Sequence, residues 1–224
     1  MATIEGLYKL VLVDVRKSKV GSLQPDDFNI WINKAQRIVV DNKLASMDIN
    51  TRHQDDLMPL RKKAVLTPVS NEIYAELPVD YLRTDAISLL LTQSGVPYNN
   101  VSCSYLSANR FTHIMRSHYD KPSLKLCYFN YGIETFIEEG EEKEKRVVYV
   151  YKPTEATITS INLHYYREPD PIEYKSETAK NELIWNESMV NEIAQMCSLM
   201  YIASIGDPRV QTNMLIKQQT NSKQ

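Results

Sequence analysis

Apolar residues recur at three- and four-residue steps near both ends of the chain and at two-residue steps through its middle. That change of period predicts terminal helices around a β-rich centre. In residues 3–20, Leu7, Leu10, Val11 and Val15 share one side of a first helix, Lys17 and Lys19 meet the negative end of its dipole, and Gly21-Ser22 closes it. Pro25-Asp26-Asp27 signals the start of a second helix. Phe28, Ile32, Ala35, Ile38 and Val39 form its apolar stripe to about Ala45, leaving Lys34, Arg37, Asp41 and Lys43 for the wetter face.

Residues 48–70 are a mixed connection, with a helical turn over His53–Met58, a basic cluster Arg61-Lys62-Lys63 and a short strand at Ala64–Leu66. Beyond residue 71 the pattern alternates. Strands are expected at 72–77, 86–91, 101–106, 124–129, 133–137, 147–151 and 157–166, with a short helix at 107–117. The run Glu138 to Arg146 is dense in charge, so it is expected as a solvated hairpin tip or a disordered loop.

Residues 181–205 read as a long helix that starts amphipathic and becomes apolar almost all round. Trp185, Met189, Ile193, Met196, Cys197 and Met200 stack on one face, and Leu199, Tyr201, Ile202, Ala203 and Ile205 fill the others. Its first half should pack on the chain's own helices. Its second half, from Met196 to Ile205, calls for cover from a neighbouring copy or from the base of the sheet lobe. After Gly206-Asp207-Pro208 comes a polar tail with one apolar knot, Met214-Leu215-Ile216. Too little apolar area remains there for independent folding, so the tail is expected to order on a partner.

The resulting fold class is α+β: a helical bundle formed by the N-terminal and C-terminal helices, with an inserted β-rich lobe and an extended C-terminal tail. Residues 1–70 and 172–206 form the helical core, 71–171 the lobe and 207–224 the tail. The candidate partner-binding residues are Met200, Tyr201 and Ile205 in the last helix and Met214, Leu215 and Ile216 in the tail.

Composition narrows the function. At 224 residues the chain builds its own core, and a net charge of −2 gives no global pull toward nucleic acid or an anionic membrane. The longest apolar-rich stretch, residues 193–205, is interrupted by Gln195, Ser198 and Ser204 and is too short to span a bilayer. The start lacks a basic segment followed by an apolar run, so a protein made in a cytoplasm is expected. Three widely spaced cysteines, Cys103, Cys127 and Cys197, make neither a disulfide framework nor a zinc pattern, and inert buried thiols in a reducing compartment are the ordinary reading.

Catalytic patterns are missing. With six glycines, the chain has no phosphate-cradling loop, no nucleophile elbow and no His-Glu-x-x-His. His113 and His118 would lie about 140° apart on a helix, on different faces. His53 beside Asp55 and Asp56 reads as a polar loop, His164 as a half-exposed strand residue, and Glu168 and Asp170 as the solvated flank of a proline-stiffened exit. The Arg61-Lys62-Lys63 run lacks interleaved aromatics and fits a solvated loop or an acidic protein partner. No catalytic, cofactor-binding or metal-ligating residue is assigned, and no enzyme activity is expected.

The order of the motifs does carry a resemblance. Asp27-Phe28-Asn29-Ile30-Trp31-Ile32-Asn33-Lys34-Ala35-Gln36 is followed by Glu76-Leu77-Pro78-Val79-Asp80-Tyr81-Leu82-Arg83. Then come Tyr165-Tyr166-Arg167-Glu168-Pro169 and Glu182-Leu183-Ile184-Trp185. Over residues 25–210 this layout resembles the head-to-tail connector proteins of tailed bacteriophages, the adaptor or neck-ring group, most of all those of short-tailed and crAss-like phages. The resemblance implies a structural virion protein made in the host cytoplasm. It implies a homo-oligomeric ring, commonly of twelve copies, bound to the portal protein and to further tail or neck proteins, with genomic DNA passing through without specific binding. The alternative is a cytoplasmic, non-enzymatic protein-binding or scaffolding module.

Overall fold

The computed structural model describes residues 2–18, 22–47, 51–69, 73–117, 119–138, 141–175, 177 and 180–205. The chain divides into two compact units, Met1–Leu60 with Pro169–Gln224, and Arg61–Glu168. The helical bundle with an inserted β-rich lobe expected from the sequence is not the architecture. The protein is α+β and dominated by a curled, seven-stranded mixed sheet, with five α-helices among the described residues. The sequence reading underweighted the sheet because it broke long strands at their polar positions.

The first unit holds α1 (Ile4–Lys17), α2 (Pro25–Ser46), α3 (Thr51–Leu57) with a 3-10 turn at Met58–Leu60, and α5 (Glu187–Ser204). Thr3 caps α1 by accepting from the Gly6 N–H at 3.1 Å, and Pro25 opens α2 with Asp26 and Asp27 in the positive first turn. The last helix starts later than its apolar pattern implied. Residues 181–186 are an extended lead-in pinned to the N-terminus by Ile4 N–H to Asn181 O and Leu183 N–H to Ala2 O. Helix α5 packs against both α1 and α2. Tyr201 near its end donates to Ser22 O, while Lys43 near the end of α2 meets Glu192, so α2 and α5 run antiparallel.

Helix α2 corrects a second expectation. Lys43, assigned to the wet face, is only 5% exposed. Its ammonium donates to Asp56 on α3 at 2.8 Å and pairs with Glu192 on α5 at 2.9 Å. The other Asp56 oxygen accepts from Asn186 at 2.7 Å, and Asn186 in turn caps α5 by accepting from the Met189 N–H at 2.8 Å. One buried cation therefore ties three helices and a cap. Burial acts to lower the Lys43 pKa, but the hydrogen bonds to Asp56 and Glu192 outweigh it and hold the value above that of an ordinary lysine.

The second unit contains β1 (Arg61–Leu66), β2 (Tyr74–Glu76), β3 (Tyr81–Gln93), β4 (Val96–Tyr105), α4 (Ala108–Arg116), β5 (Leu126–Glu138), β6 (Glu141–Tyr151) and β7 (Thr157–Arg167) in the sheet order β1-β7-β3-β4-β5-β6-β2. All neighbours are antiparallel except β4 and β5, which run parallel over Ser102–Tyr105 and Leu126–Phe129. Ser94 and Gly95, both at positive φ, make the tight two-residue turn from β3 to β4. Ile87, Leu89, Leu91, Val148, Ile161 and Leu163 are among the side chains that bury one face of the sheet.

Of the two expectations for the charged run, a solvated hairpin tip or a disordered loop, the hairpin is the nearer: β5 and β6 pair out to Glu138 opposite Glu141, and residues 141–146 are strand. Glu142, Lys143, Glu144, Lys145 and Arg146 lie opposite Ile137, Phe136, Thr135, Glu134 and Ile133 of β5. Cross-strand contacts absorb the charge: Lys145 pairs with Glu76 at 3.0 Å and sits over the Phe136 ring. At Gly132 an added Cβ would overlap the Tyr149 ring, so the strand needs glycine there for close packing.

Two outcomes test this account. Replacing Lys43 with Met leaves Asp56 buried without its cation and should cost about 3–5 kcal/mol in urea unfolding at neutral pH. Because the folded Lys43 pKa is raised, its stabilisation is present below about pH 10.4 and lost as pH climbs through the folded value. Wild-type stability should therefore fall on going from pH 9 to pH 12 by more than that of K43M.

Candidate functional site

The helical unit is organised by amide side chains on α2. Asn29, Asn33 and Gln36 follow one another at steps of four and three, so they line one face. Asn33 donates to Ile172 O and accepts from the Ile172 N–H, each at 2.8 Å. Asn29 accepts from the Tyr174 N–H at 2.7 Å, and Gln36 donates to Asp170 O at 3.0 Å. The amides thus treat the incoming segment as a strand treats its neighbour. Gln36 also accepts from the Trp185 indole at 3.1 Å, which fixes the approach to α5. Tyr174 is stacked on Tyr8 of α1, with centroids 4.3 Å apart.

With these faces occupied, α1 and α2 each leave another face in water. On α1, Leu10 is 44% and Val13 49% exposed, beside the exposed Lys9, Arg16 and Lys17. On α2, Ile30 is 54% exposed, near the exposed Asp26 and Asp27, and Ile38 is exposed further along. The first face is apolar and carries Arg16 together with the ion pairs Lys9–Glu5 at 2.6 Å and Lys17–Asp14 at 3.5 Å; the second is apolar with an acidic start, followed by the exposed Lys34 and Arg37. The sequence reading put Leu10 and Ile38 in buried stripes. The available signal was the width of the apolar arc on α1, where Ile4, Leu7, Leu10, Val11, Leu12, Val13 and Val15 exceed what one neighbouring helix covers.

The residues proposed from sequence are spread over different surroundings. Tyr201 is buried within the unit, Met200 is half-buried together with Met196 and Leu199, and Ile205 is 51% exposed. Met214, Leu215 and Ile216, with the whole tail 207–224, lie outside the described residues. Burial of Cys197, Ser198, Tyr201 and Ile202 gives the second half of α5 cover from its own unit.

In the sheet unit the buried face runs on into aromatic side chains. Phe129 and Tyr131 are 5.5 Å apart, Tyr105 lies 5.8 Å and 6.0 Å from them, and Tyr81 lies 6.0 Å from both Tyr131 and Tyr165. Tyr105, Tyr131 and Ile133 are exposed. The Tyr131 hydroxyl donates to Thr84 at 2.6 Å; although the residue as a whole is 39% exposed, loss of water around that hydroxyl among Tyr81, Thr84 and Tyr105 pushes its pKa up. Tyr165 donates to Asp80 at 2.8 Å; burial and that carboxylate push the phenol up to about 12, while Lys62 beside Asp80 keeps the carboxyl below its usual value.

The described histidines lie on separate elements. His53 contacts Ser46 at 2.9 Å, His113 lies on α4, His164 is half-buried on β7, and His118 is outside the described residues. A shallow, open depression of about 500 Å³ along α4 is lined by Arg110, His113, Ile114, Arg116, Ser117 and Asp120. Among the described residues, no group of three or more His, Cys, Asp or Glu side chains is placed to hold a metal ion, and no helix is long and apolar enough to cross a membrane. Compared with known proteins, the chain matches no family model and no curated sequence.

Proposed function

We propose that this chain is a non-enzymatic structural virion protein, a ring-forming connector between the portal and the tail of a tailed bacteriophage, through which DNA passes. The carrying observation is the pair of dissimilar apolar faces on α1 and α2. A closed ring is built from heterologous contacts, so each copy must offer two different, complementary surfaces. Leu10 and Val13 suit Ile30 on the next copy in apolarity, and Arg16 beside them suits Asp26 and Asp27 in charge. The tail 207–224, with Met214, Leu215 and Ile216 as its anchor, serves as the clasp on the portal. A net charge of −2 suits a conduit, because each phosphate neutralised by Lys or Arg would slow the DNA.

A second reading, a protein-binding module, draws on the exposed Tyr105, Tyr131 and Ile133 of the sheet. It requires a stable monomer or dimer that purified particles lack.

Size-exclusion chromatography with mass measurement, alone and with purified portal, separates the two. The connector reading expects a ring in one or both conditions; a chain that stays monomeric and ignores portal sinks it. The double substitution Leu10→Glu with Val13→Glu should keep wild-type circular dichroism and urea stability within about 1 kcal/mol, since both side chains are already exposed, yet abolish the ring. Deleting residues 207–224 should leave the fold intact and weaken portal docking; normal docking by the truncated chain would remove the clasp.

A further inference from the structure

The two sheet cysteines are neighbours that no spacing in the sequence announces. Cys103 of β4 and Cys127 of β5 are direct register partners in the parallel ladder. Cys127 is fully buried and its thiol donates to Ser123 O at 3.5 Å, while Cys103 opposite it is half-buried. Register partners on adjacent strands sit about 4.8 Å apart in the hydrogen-bonding direction, inside the Cα separation of about 4.4–6.8 Å that a disulfide spans. The parallel ladder is short, covering only Ser102–Tyr105 against Leu126–Phe129, and it is the seam between two antiparallel halves, β1-β7-β3-β4 and β5-β6-β2.

We propose that Cys103 and Cys127 are an oxidative modification site, closing to a disulfide that staples this seam. Hydrogen peroxide serves as the oxidant. The thiolate of the pair attacks one peroxide oxygen, forming S–O as O–O breaks, and the departing hydroxide takes up a proton to become water. The partner sulfur then attacks the sulfenic sulfur. S–S forms, S–O breaks, and the hydroxyl leaves as a second water with the partner's thiol proton. Two thiols are oxidised and one peroxide is reduced to two waters. Within the pair the two thiols are pushed apart: Cys103 is raised by its neighbour and by burial, and Cys127, lowered by that neighbour and by the Lys152 charge, is the more acidic of the two. Cys197 is the internal control. It stands alone in α5, and burial pushes its pKa up to about 12.

The test uses the full-length chain, reduced, treated with hydrogen peroxide, then denatured and alkylated for peptide mapping without reductant. The expected result is a linked peptide pair carrying Cys103 and Cys127, with Cys197 alkylated. The oxidised protein should melt about 5 °C or more above the reduced one, because the bond closes the chain between residues 103 and 127, and the shift should vanish on adding dithiothreitol. Cys103→Ser and, separately, Cys127→Ser should each lose the linked pair and the shift. Three alkylated thiols after oxidation, sulfurs oxidised singly, or a bond to another chain would each overturn the assignment, and none of these readouts depends on a variant that folds.

Discussion

A unit whose chain leaves at Leu60 and returns at Pro169 depends on one constraint above the rest: the returning segment must be told where to land. The polar side chains on α2 do this. Asn29, Asn33 and Gln36 bind the backbone of residues 170–174, Gln36 takes the Trp185 indole, and Lys43 reaches the Asp56–Asn186 pair that starts α5. Apolar contact alone is indifferent to register along a helix, whereas buried amides that must find partners are not. Burying Lys43 is costly unless every neighbour is in place, and that cost makes the arrangement specific. Once α5 is seated, Cys197, Ser198, Tyr201 and Ile202 are buried within the unit, while Ile205 at its end and Leu10, Val13, Ile30 and Ile38 on α1 and α2 stay in water.

The sheet solves a different problem. Its middle is a parallel step between two antiparallel halves, and the free edge of β6 is kept unattractive to other strands. Strand β2 covers only Val147–Tyr149 of β6; among the described residues no strand joins Glu141–Lys145 on the side away from β5. The alternating acids and lysines there discourage strand addition.

How far the sequence was legible follows from which signal each element carried. The stripe Phe28, Ile32, Ala35, Val39 on α2 was readable because apolar burial repeats with the helix, and all four side chains are buried. Lys43 was not, since a lysine at that position reads as solvated until Asp56 and Glu192 are brought to it from distant parts of the chain. The strand at Glu141–Tyr151 was hidden for the same reason: its charges look solvated one at a time, and only the β5 register and Glu76 show how an extended chain holds them. The balance between helix and sheet went wrong through such strands. Of the candidate site, Ile205 is exposed and Tyr201 is not, a difference set by α5 packing that periodicity alone does not resolve. The Cys103–Cys127 pair was illegible because parallel pairing joins residues across an intervening helix.

Strands β1 and β7, the first and last of the sheet unit, pair antiparallel, with Arg61 opposite Tyr166. The two points where the chain enters and leaves this unit are thus held side by side by a hydrogen-bonded ladder. A segment of more than a hundred residues is in this way grafted between two points about one strand spacing apart. Seen from its own ends, the sheet unit closes on itself like a hairpin whose loop is the rest of the sheet.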